Sequence, residues 1–215
     1  MTNAQVVKKT AEFVRRRMEG EGTGHDWWHV QRVWQNAKII GKKEGADLFV
    51  VQLAALLHDI ADWKFYNEEL GPKIVRVLLK KLQVENSVIE KVVYIVQNVS
   101  FKGAGVKHKM KTLDGKVVQD ADRLDALGAI GIARCFAYGG FKQRPIYDPS
   151  IPPVMHKTFK MYKKGKSHSI SHFYEKLLLL KDKMNTRTGR SMAIKLHKFM
   201  EKYLEQFYKE WNSEL

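Results

Sequence analysis

Cysteine and long apolar runs are scarce in this 215-residue chain. Its single cysteine, Cys135, excludes an intramolecular disulfide and suits a reducing compartment. No apolar stretch approaches the ~20 residues that span a bilayer, and residues 1–17 carry charges rather than the continuous apolar segment of a secretory signal. From these absences we expect a cytoplasmic protein with no membrane partner.

Acidic residues and prolines are also few. Lysine and arginine total 38 against 23 acidic residues, which gives a formal net charge of +15, and so basic a chain attracts polyanions. Nucleic acid, a membrane surface and nucleotide polyphosphates all qualify, and charge alone does not choose among them. Five prolines with 44% hydrophobic and 28% charged residues are proportions typical of a soluble globular protein.

Helical periodicity is what the chain contains in abundance. Apolar residues at helical spacing predict helices at 3–19, 27–44, 47–61, 71–82, 87–99 and 117–131, and two more with apolar stripes from Phe173 to Met184 and from Met192 to Trp211. No segment reads convincingly as a strand. We therefore predict an all-α fold, a single-domain bundle of roughly eight to ten helices over residues 1–215.

Local signals at helix ends support these assignments. Asp26 is a predicted N-cap for the second helix. Pro72 is well placed in a first turn, and Ser87 with Glu90 forms a capping-box pattern. These signals predict where individual helices begin.

Two segments lose the helical pattern. Residues 101–116 hold three glycines and five lysines, and residues 139–169 hold four prolines. Connections of this length are unusual inside a compact domain and are often functional. We predict two long loops, the first of them basic and a candidate lid.

The stretch 53–62 carries the first sign of chemistry. It begins as a helix that is apolar almost all round, which belongs in the middle of a bundle, and it ends in His58, Asp59 and Asp62. A His-Asp pair buried there is costly without a compensating partner. A divalent metal ion is one such partner, and a hydrogen bond that closes the helix is another. On a continuous helix, Asp62 would lie one turn beyond His58.

Further candidate ligands lie on two other predicted helices. His29 follows Asp26 on the second helix, and Asp120, Asp122 and Asp125 crowd into an otherwise apolar segment. Caps and salt bridges to nearby arginines would also explain the aspartates. Two histidines with two aspartates suit a hard-to-borderline divalent ion better than a structural zinc, which usually takes cysteines.

In this order and context the residues resemble the HD-domain superfamily of metal-dependent phosphohydrolases, and in particular its bacterial YedJ/YpgQ-like branch. The blocks that carry the resemblance are GHDWWHVQRV at 24–33, AALLHDIAD at 54–62, VQDADRLDA at 118–126, FAYGG at 136–140 and HFYEKL at 172–177. It covers about residues 20–212. It implies a metal-site core at about 20–140, with C-terminal helices at 170–213 packing on it.

The resemblance implies a set of metal ligands: His29, His58, Asp59 and Asp122. Asp120 and Asp125 would then orient ligands or Arg123. Mn²⁺ is the ion that the branch favours, while Mg²⁺, Co²⁺, Ni²⁺, Fe²⁺ or Zn²⁺ would also suit the site. The branch further implies hydrolysis of (deoxy)nucleoside triphosphates to monophosphate and pyrophosphate.

Four further residues are expected to act on the substrate or on the attacking water. Asp62 would orient or deprotonate the attacking water, although many HD hydrolases have the longer glutamate there. Arg32, one turn after His29, would bind phosphate oxygens and stabilise their charge during reaction, unless it belongs to a solvated face. His25 and Lys64 are further substrate-binding candidates. A capping histidine and a plain surface lysine are the respective alternatives.

Other functions remain open from the sequence. Related HD hydrolases act as nucleotide phosphomonoesterases or alarmone hydrolases. The lysine-rich segments 102–116 and 157–166 would suit a basic nucleic-acid-binding helical domain without turnover, but no zinc-finger, RNA-recognition or clear helix-turn-helix signature is present. A metal-bearing regulatory domain is a further alternative. The oligomeric state is also open, a homodimer included.

Overall fold

The computed structural model describes residues 1–18, 26–60, 69–99, 110–154 and 167–214, and over these residues it contains helices and no strand. The helices are α1 (Asn3–Met18), α2 (Trp27–Glu44), α3 (Leu48–Leu57), α4 (Leu70–Lys81), α5 (Asn86–Asn98), α6 (Leu113–Asp125), α7 (Gly128–Phe141), α8 (Ser169–Glu175), a 3₁₀ helix (Leu177–Lys183) and α9 (Arg187–Trp211). The predicted all-α class is confirmed. Among the described helices, none has the length and apolarity that a membrane crossing requires.

The described residues up to Asp122 form one compact unit. Its centre is α3, whose seven residues Val50, Val51 and Leu53–Leu57 are all buried. Helices α1, α2 and α5 pack around it. Each fully buried leucine stabilises the fold by about 1.5–3 kcal/mol, so the apolar residues of α3 anchor this helix at the centre of the unit.

The described residues from Arg123 onward form a second compact unit. Here α9 packs against α7 and the 3₁₀ helix, and α8 packs against both of those elements. Phe173, Leu177 and Leu180 are buried in its core. The single-domain organisation over residues 1–215 stays a prediction.

One predicted helix is in fact two. The sequence pattern suggested a continuous helix over 117–131, but α6 ends at Asp125 and α7 begins at Gly128. Gly128 has a φ of +65°, a conformation that glycine adopts at little cost. Leu127 precedes it with extended backbone, so the chain leaves one helix and enters the next within two residues.

Several helix ends also differ from the predictions. The segment predicted as a loop over 101–116 is helical from Leu113, because the Thr112 hydroxyl accepts a hydrogen bond from the Gly115 N–H at 3.2 Å and caps the first turn. The predicted helix over 47–61 ends at Leu57, and residues 58–60 form a turn. The second predicted loop, over 139–169, begins later than expected, because α7 continues to Phe141.

The prediction of a capping box at Ser87 is wrong. The N-cap of α5 is Glu85, and the Ser87 hydroxyl donates to the Glu85 carboxylate at 2.5 Å. Glu90 pairs with Arg76 of α4 at 2.8 Å.

The predicted helix from Phe173 to Met184 is divided into two elements, since Lys176 has non-helical backbone between α8 and the 3₁₀ helix. Asp26, by contrast, is confirmed as the N-cap of α2.

Two glycines of α7 provide a matched test of packing. A Cβ on Gly131 would lie 2.3 Å from the backbone carbonyl of Ala126, whereas a Cβ on Gly140 would meet nothing within 4 Å. We expect Gly131→Ala to lower the free energy of unfolding by about 1–3 kcal/mol. Gly140→Ala should raise it by about 0.5–1 kcal/mol through helix propensity. Urea denaturation measures both, and equal effects of the two substitutions would contradict the close approach of Gly131 to Ala126.

Candidate metal centre

The first histidine of the site is held at the start of α2. The Asp26 carboxylate accepts a hydrogen bond from the His29 N–H at 2.8 Å and so fixes the first helical turn. The His29 side chain is completely buried. An imidazole in such a position must find polar partners within the protein.

The second histidine lies where α3 ends. His58 is the C-cap residue of that helix, and its Nδ1 lies 2.8 Å from the carbonyl oxygen of Ala55. A carbonyl only accepts hydrogen bonds, so Nδ1 carries the proton and donates it. In the neutral imidazole, Nε2 therefore presents a lone pair to whatever lies on the other side of the ring.

The Nε2 atoms of His29 and His58 lie 3.2 Å apart. The Asp59 carboxylate oxygen Oδ2 lies 3.3 Å from the first and 3.6 Å from the second. Oδ1 of Asp122, on α6, lies 3.6 and 3.7 Å from the same two nitrogens. Three elements distant in sequence thus place one oxygen of each carboxylate within 3.3–3.7 Å of both imidazole nitrogens.

A divalent cation fits this donor set. Protein ligands bind such ions at about 2.0–2.2 Å, and neighbouring donors on one ion then lie about 2.8–3.6 Å apart at right or tetrahedral angles. The observed separations of 3.2–3.7 Å are close to that range. Lone pairs and carboxylate charges that converge in a buried place repel one another unless a positive charge stands between them.

The cluster is closed on one side and more open on the other. The side chains of both histidines are at most 1% exposed, that of Asp59 is 10% exposed, and that of Asp122 is 29% exposed. Asp122 is therefore the member of the cluster that is most accessible to solvent. A site of this kind leaves a route for water or substrate.

The aspartates around Asp122 have different surroundings. Asp125 is buried, and its carboxylate accepts from Arg134 at 2.9 Å. This is one of the salt bridges that the sequence allowed as a purely structural explanation. Asp120 is also buried, but it lies about 200° round the helix from Asp122. Arg123 donates to the carbonyl oxygen of Lys183.

The remaining predicted site residues fall into two groups. Arg32 is half-buried on α2, one turn beyond His29 and on the same face of the helix. His25, Asp62 and Lys64 lie outside the described residues. The helical relation expected between His58 and Asp62 is not supported by the backbone up to Ile60, because α3 has already ended there.

One contributor to the site was missed from the sequence. The Ala55 carbonyl fixes which ring nitrogen of His58 faces the other donors, and partners of this kind are common behind metal-binding histidines. Only its position three residues before a histidine at a helix end signals it, since carbonyls of the last turn lack helical partners.

Comparison with known proteins shows which family this chain belongs to. The family model described as "HD domain" matches residues 27–127. YpgQ of Bacillus subtilis is 36% identical over 98% of this chain and 96% of its own length, and one of its crystal structures is a complex with ADP, with a TM-score of 0.76 over 95% of this chain and 97% of that one.

Two further crystal structures match over almost their whole length. One is described as an HD-superfamily hydrolase from Bacillus thuringiensis, with 44% identity and a TM-score of 0.78 over 98% of this chain and 99% of that one. The other is from Lactobacillus plantarum, with 35% identity and a TM-score of 0.88 over 99% and 100%. HD domains bind a divalent metal, and His29, His58 and Asp59 form a group that could hold one. The chain thus belongs to the HD-domain superfamily of hydrolases.

Proposed function

We propose that this protein is a metal-dependent phosphohydrolase that converts (deoxy)nucleoside triphosphates to monophosphates and pyrophosphate. The observation that carries the proposal is that two imidazole nitrogens lie 3.2 Å apart and that a carboxylate oxygen of Asp59 and one of Asp122 each lie 3.3–3.7 Å from both nitrogens. The relative YpgQ was crystallised with ADP, which supports a nucleotide as the ligand. A net charge of +15 would draw in such a polyanion.

The proposed ligands of the divalent ion, Mn²⁺ by preference, are His29, His58, Asp59 and Asp122. When bound, such an ion supplies polarisation of a phosphoryl oxygen and a lowered pKa of water. The chain's part is to hold the four donor atoms at fixed positions. Ala55 does this for His58, and Asp26 does it for the first turn of α2.

Arg32 is the proposed phosphate-binding residue. It follows His29 by one helical turn, so its planar guanidinium can reach a phosphate positioned at the cluster and donate two parallel hydrogen bonds to it. It would stabilise the negative charge that develops on those oxygens during reaction. His25 and Lys64 are proposed as additional substrate contacts.

Asp62 is the proposed general base. Its carboxylate would orient the attacking water and take its proton as the bond to phosphorus forms. The shorter aspartate reaches less far than a glutamate at this position. Water would therefore have to lie closer to the chain segment after α3.

A nucleotide panel tests the reaction itself. We expect turnover of nucleoside triphosphates with Mn²⁺ to release pyrophosphate and monophosphate in equal amounts, with Mg²⁺ and Co²⁺ as comparison ions. Enzyme-coupled assays that score phosphate and pyrophosphate separately measure this. Release of orthophosphate from monophosphates alone would replace the proposal with a phosphomonoesterase. Release of pyrophosphate from guanosine tetraphosphate alone would indicate an alarmone hydrolase.

Substitution of Asp122 tests the metal assignment. Asp122→Asn keeps the shape but removes the charge, so we expect bound metal to fall and turnover to drop at least about 100-fold. The matched control is Asp114→Asn on the same helix, whose side-chain oxygen can still accept the hydrogen bond from the Asp47 N–H. Metal analysis and initial-rate measurements on both variants test whether Asp122 is a metal ligand. Full metal and full turnover in Asp122→Asn would remove Asp122 from the site.

Arg32→Ala tests phosphate binding separately from metal binding. We expect kcat/KM for triphosphates to fall about 100-fold while bound metal is unchanged. Lys43→Ala, at an exposed position on the same helix, serves as the charge-matched control and should behave as wild type. Unchanged kinetics in Arg32→Ala would make this arginine structural. Absence of turnover in the wild-type protein, together with salt-sensitive nucleic-acid binding that Asp122→Asn leaves unchanged, would favour a nucleic-acid-binding domain.

A further inference from the structure

A groove of about 630 Å³ lies between α1, α2 and α3, in the compact unit that also holds the histidines. Small-molecule sites in proteins typically have volumes of about 300–1,000 Å³ and predominantly apolar and aromatic walls. We propose that this groove is a second binding site, for a small anionic ligand with a planar aromatic body.

Aromatic side chains line one wall of the groove, and smaller aliphatic side chains line the other. Trp27, Trp34 and Phe49 line it from α2 and α3, while Val7 and Ala11 line it from α1. Trp27 and Val7 are buried, and the other three are half-buried. The small alanine keeps the space open, and the rings offer flat faces on which a planar ligand can stack.

Trp34 is held in place by polar contacts. Its indole Nε1 donates to the Gln52 side-chain oxygen at 3.2 Å, and the Gln52 amide in turn donates to the Leu48 carbonyl at 3.0 Å. The ammonium group of Lys38 lies 5.4 Å from the centre of the Trp34 ring. An aromatic wall fixed in this way costs little further entropy when a ligand binds.

The charge around the groove favours an anion. Lys8 and Arg15 line it from α1, seven residues apart on one face, with Glu12 as the acidic residue between them. Lys38 adds a third positive charge beside Trp34. A ligand whose ring stacks on the indoles would therefore place its negative group toward the basic side chains.

The groove is separate from the candidate metal centre. Trp27 and Trp34 share one face of α2 because they are seven residues apart. His29 lies two residues after Trp27, which turns its side chain about 200° away. The two sites therefore use opposite faces of the same helix, and the groove does not depend on the proposed hydrolysis.

Two fluorescent probes test the proposal. The anionic probe 1-anilinonaphthalene-8-sulfonate has the required planar body and charge, and N-phenyl-1-naphthylamine has the same ring system without the sulfonate. We expect saturable binding of the anion at one site per chain, and weaker binding of the neutral probe. Titration of the intact protein, with probe emission as the readout, measures both.

Substitutions then locate the site. Trp34→Ala should weaken binding of the anionic probe about tenfold, and Ala11→Phe should abolish it by filling the groove. Lys8→Gln should weaken it about threefold. Trp28→Ala is the matched control, because Trp28 is 55% exposed on a neighbouring position that does not line the groove. Asp122→Asn should bind the probe as wild type does, which separates this site from the metal centre. Thermal unfolding confirms that each variant is folded.

Three outcomes would overturn the assignment. Wild-type probe binding by folded Trp34→Ala and Ala11→Phe would place the probe elsewhere. Equal affinity for both probes, with no effect of Lys8→Gln, would make the groove an apolar surface without anion selectivity. A dimer in sedimentation experiments that Ala11→Phe converts to a monomer would show that a second copy of this chain occupies the groove.

Discussion

Two buried imidazoles whose Nε2 atoms lie 3.2 Å apart are the constraint on which the candidate site depends. Polar groups removed from water at the centre of an apolar unit must be compensated inside it. His58 satisfies one nitrogen with the Ala55 carbonyl, which leaves its other nitrogen for the cluster. Two carboxylates complete the surroundings, and a cation would balance their charge.

The architecture around α3 follows from the same constraint. A largely buried helix delivers His58 to an interior position, because its apolar residues anchor it among α1, α2 and α5. The helix then stops, and the turn that follows brings Asp59 toward both imidazoles. Burial of the hydrophobic helix thus provides the free energy that holds polar groups where they would not gather by themselves.

Helix α2 serves two different surfaces. Its inner face carries His29, completely buried, and its opposite face presents Trp27 and Trp34 to the groove beside α1. The N-cap at Asp26 fixes the first turn that both faces share. A substitution in that turn would therefore be felt at the metal centre and at the proposed anion site.

Sequence patterns predicted most helices but missed several boundaries, and each miss has a local cause. The glycines and lysines of segment 101–116 suggested a loop throughout, whereas the Thr112 hydroxyl caps a helix that begins at Leu113. Gly128 lay inside one predicted helix, over 117–131, but its positive φ separates two helices. In both cases periodicity alone did not reveal how a single residue's backbone or side chain would be used.

The sequence by itself determined the all-α class, the existence of the apolar helix that leads into His58, and the residue types able to bind a divalent ion. Helical spacing and burial of apolar surface act over a few residues, so they can be read along the chain. Only the tertiary structure decided that Asp122 lies within 3.6–3.7 Å of both imidazoles, that the Ala55 carbonyl orients one of them, and that two indoles and a phenyl ring enclose a groove. These relations join residues whose separation in space depends on how whole helices pack, which no local pattern encodes.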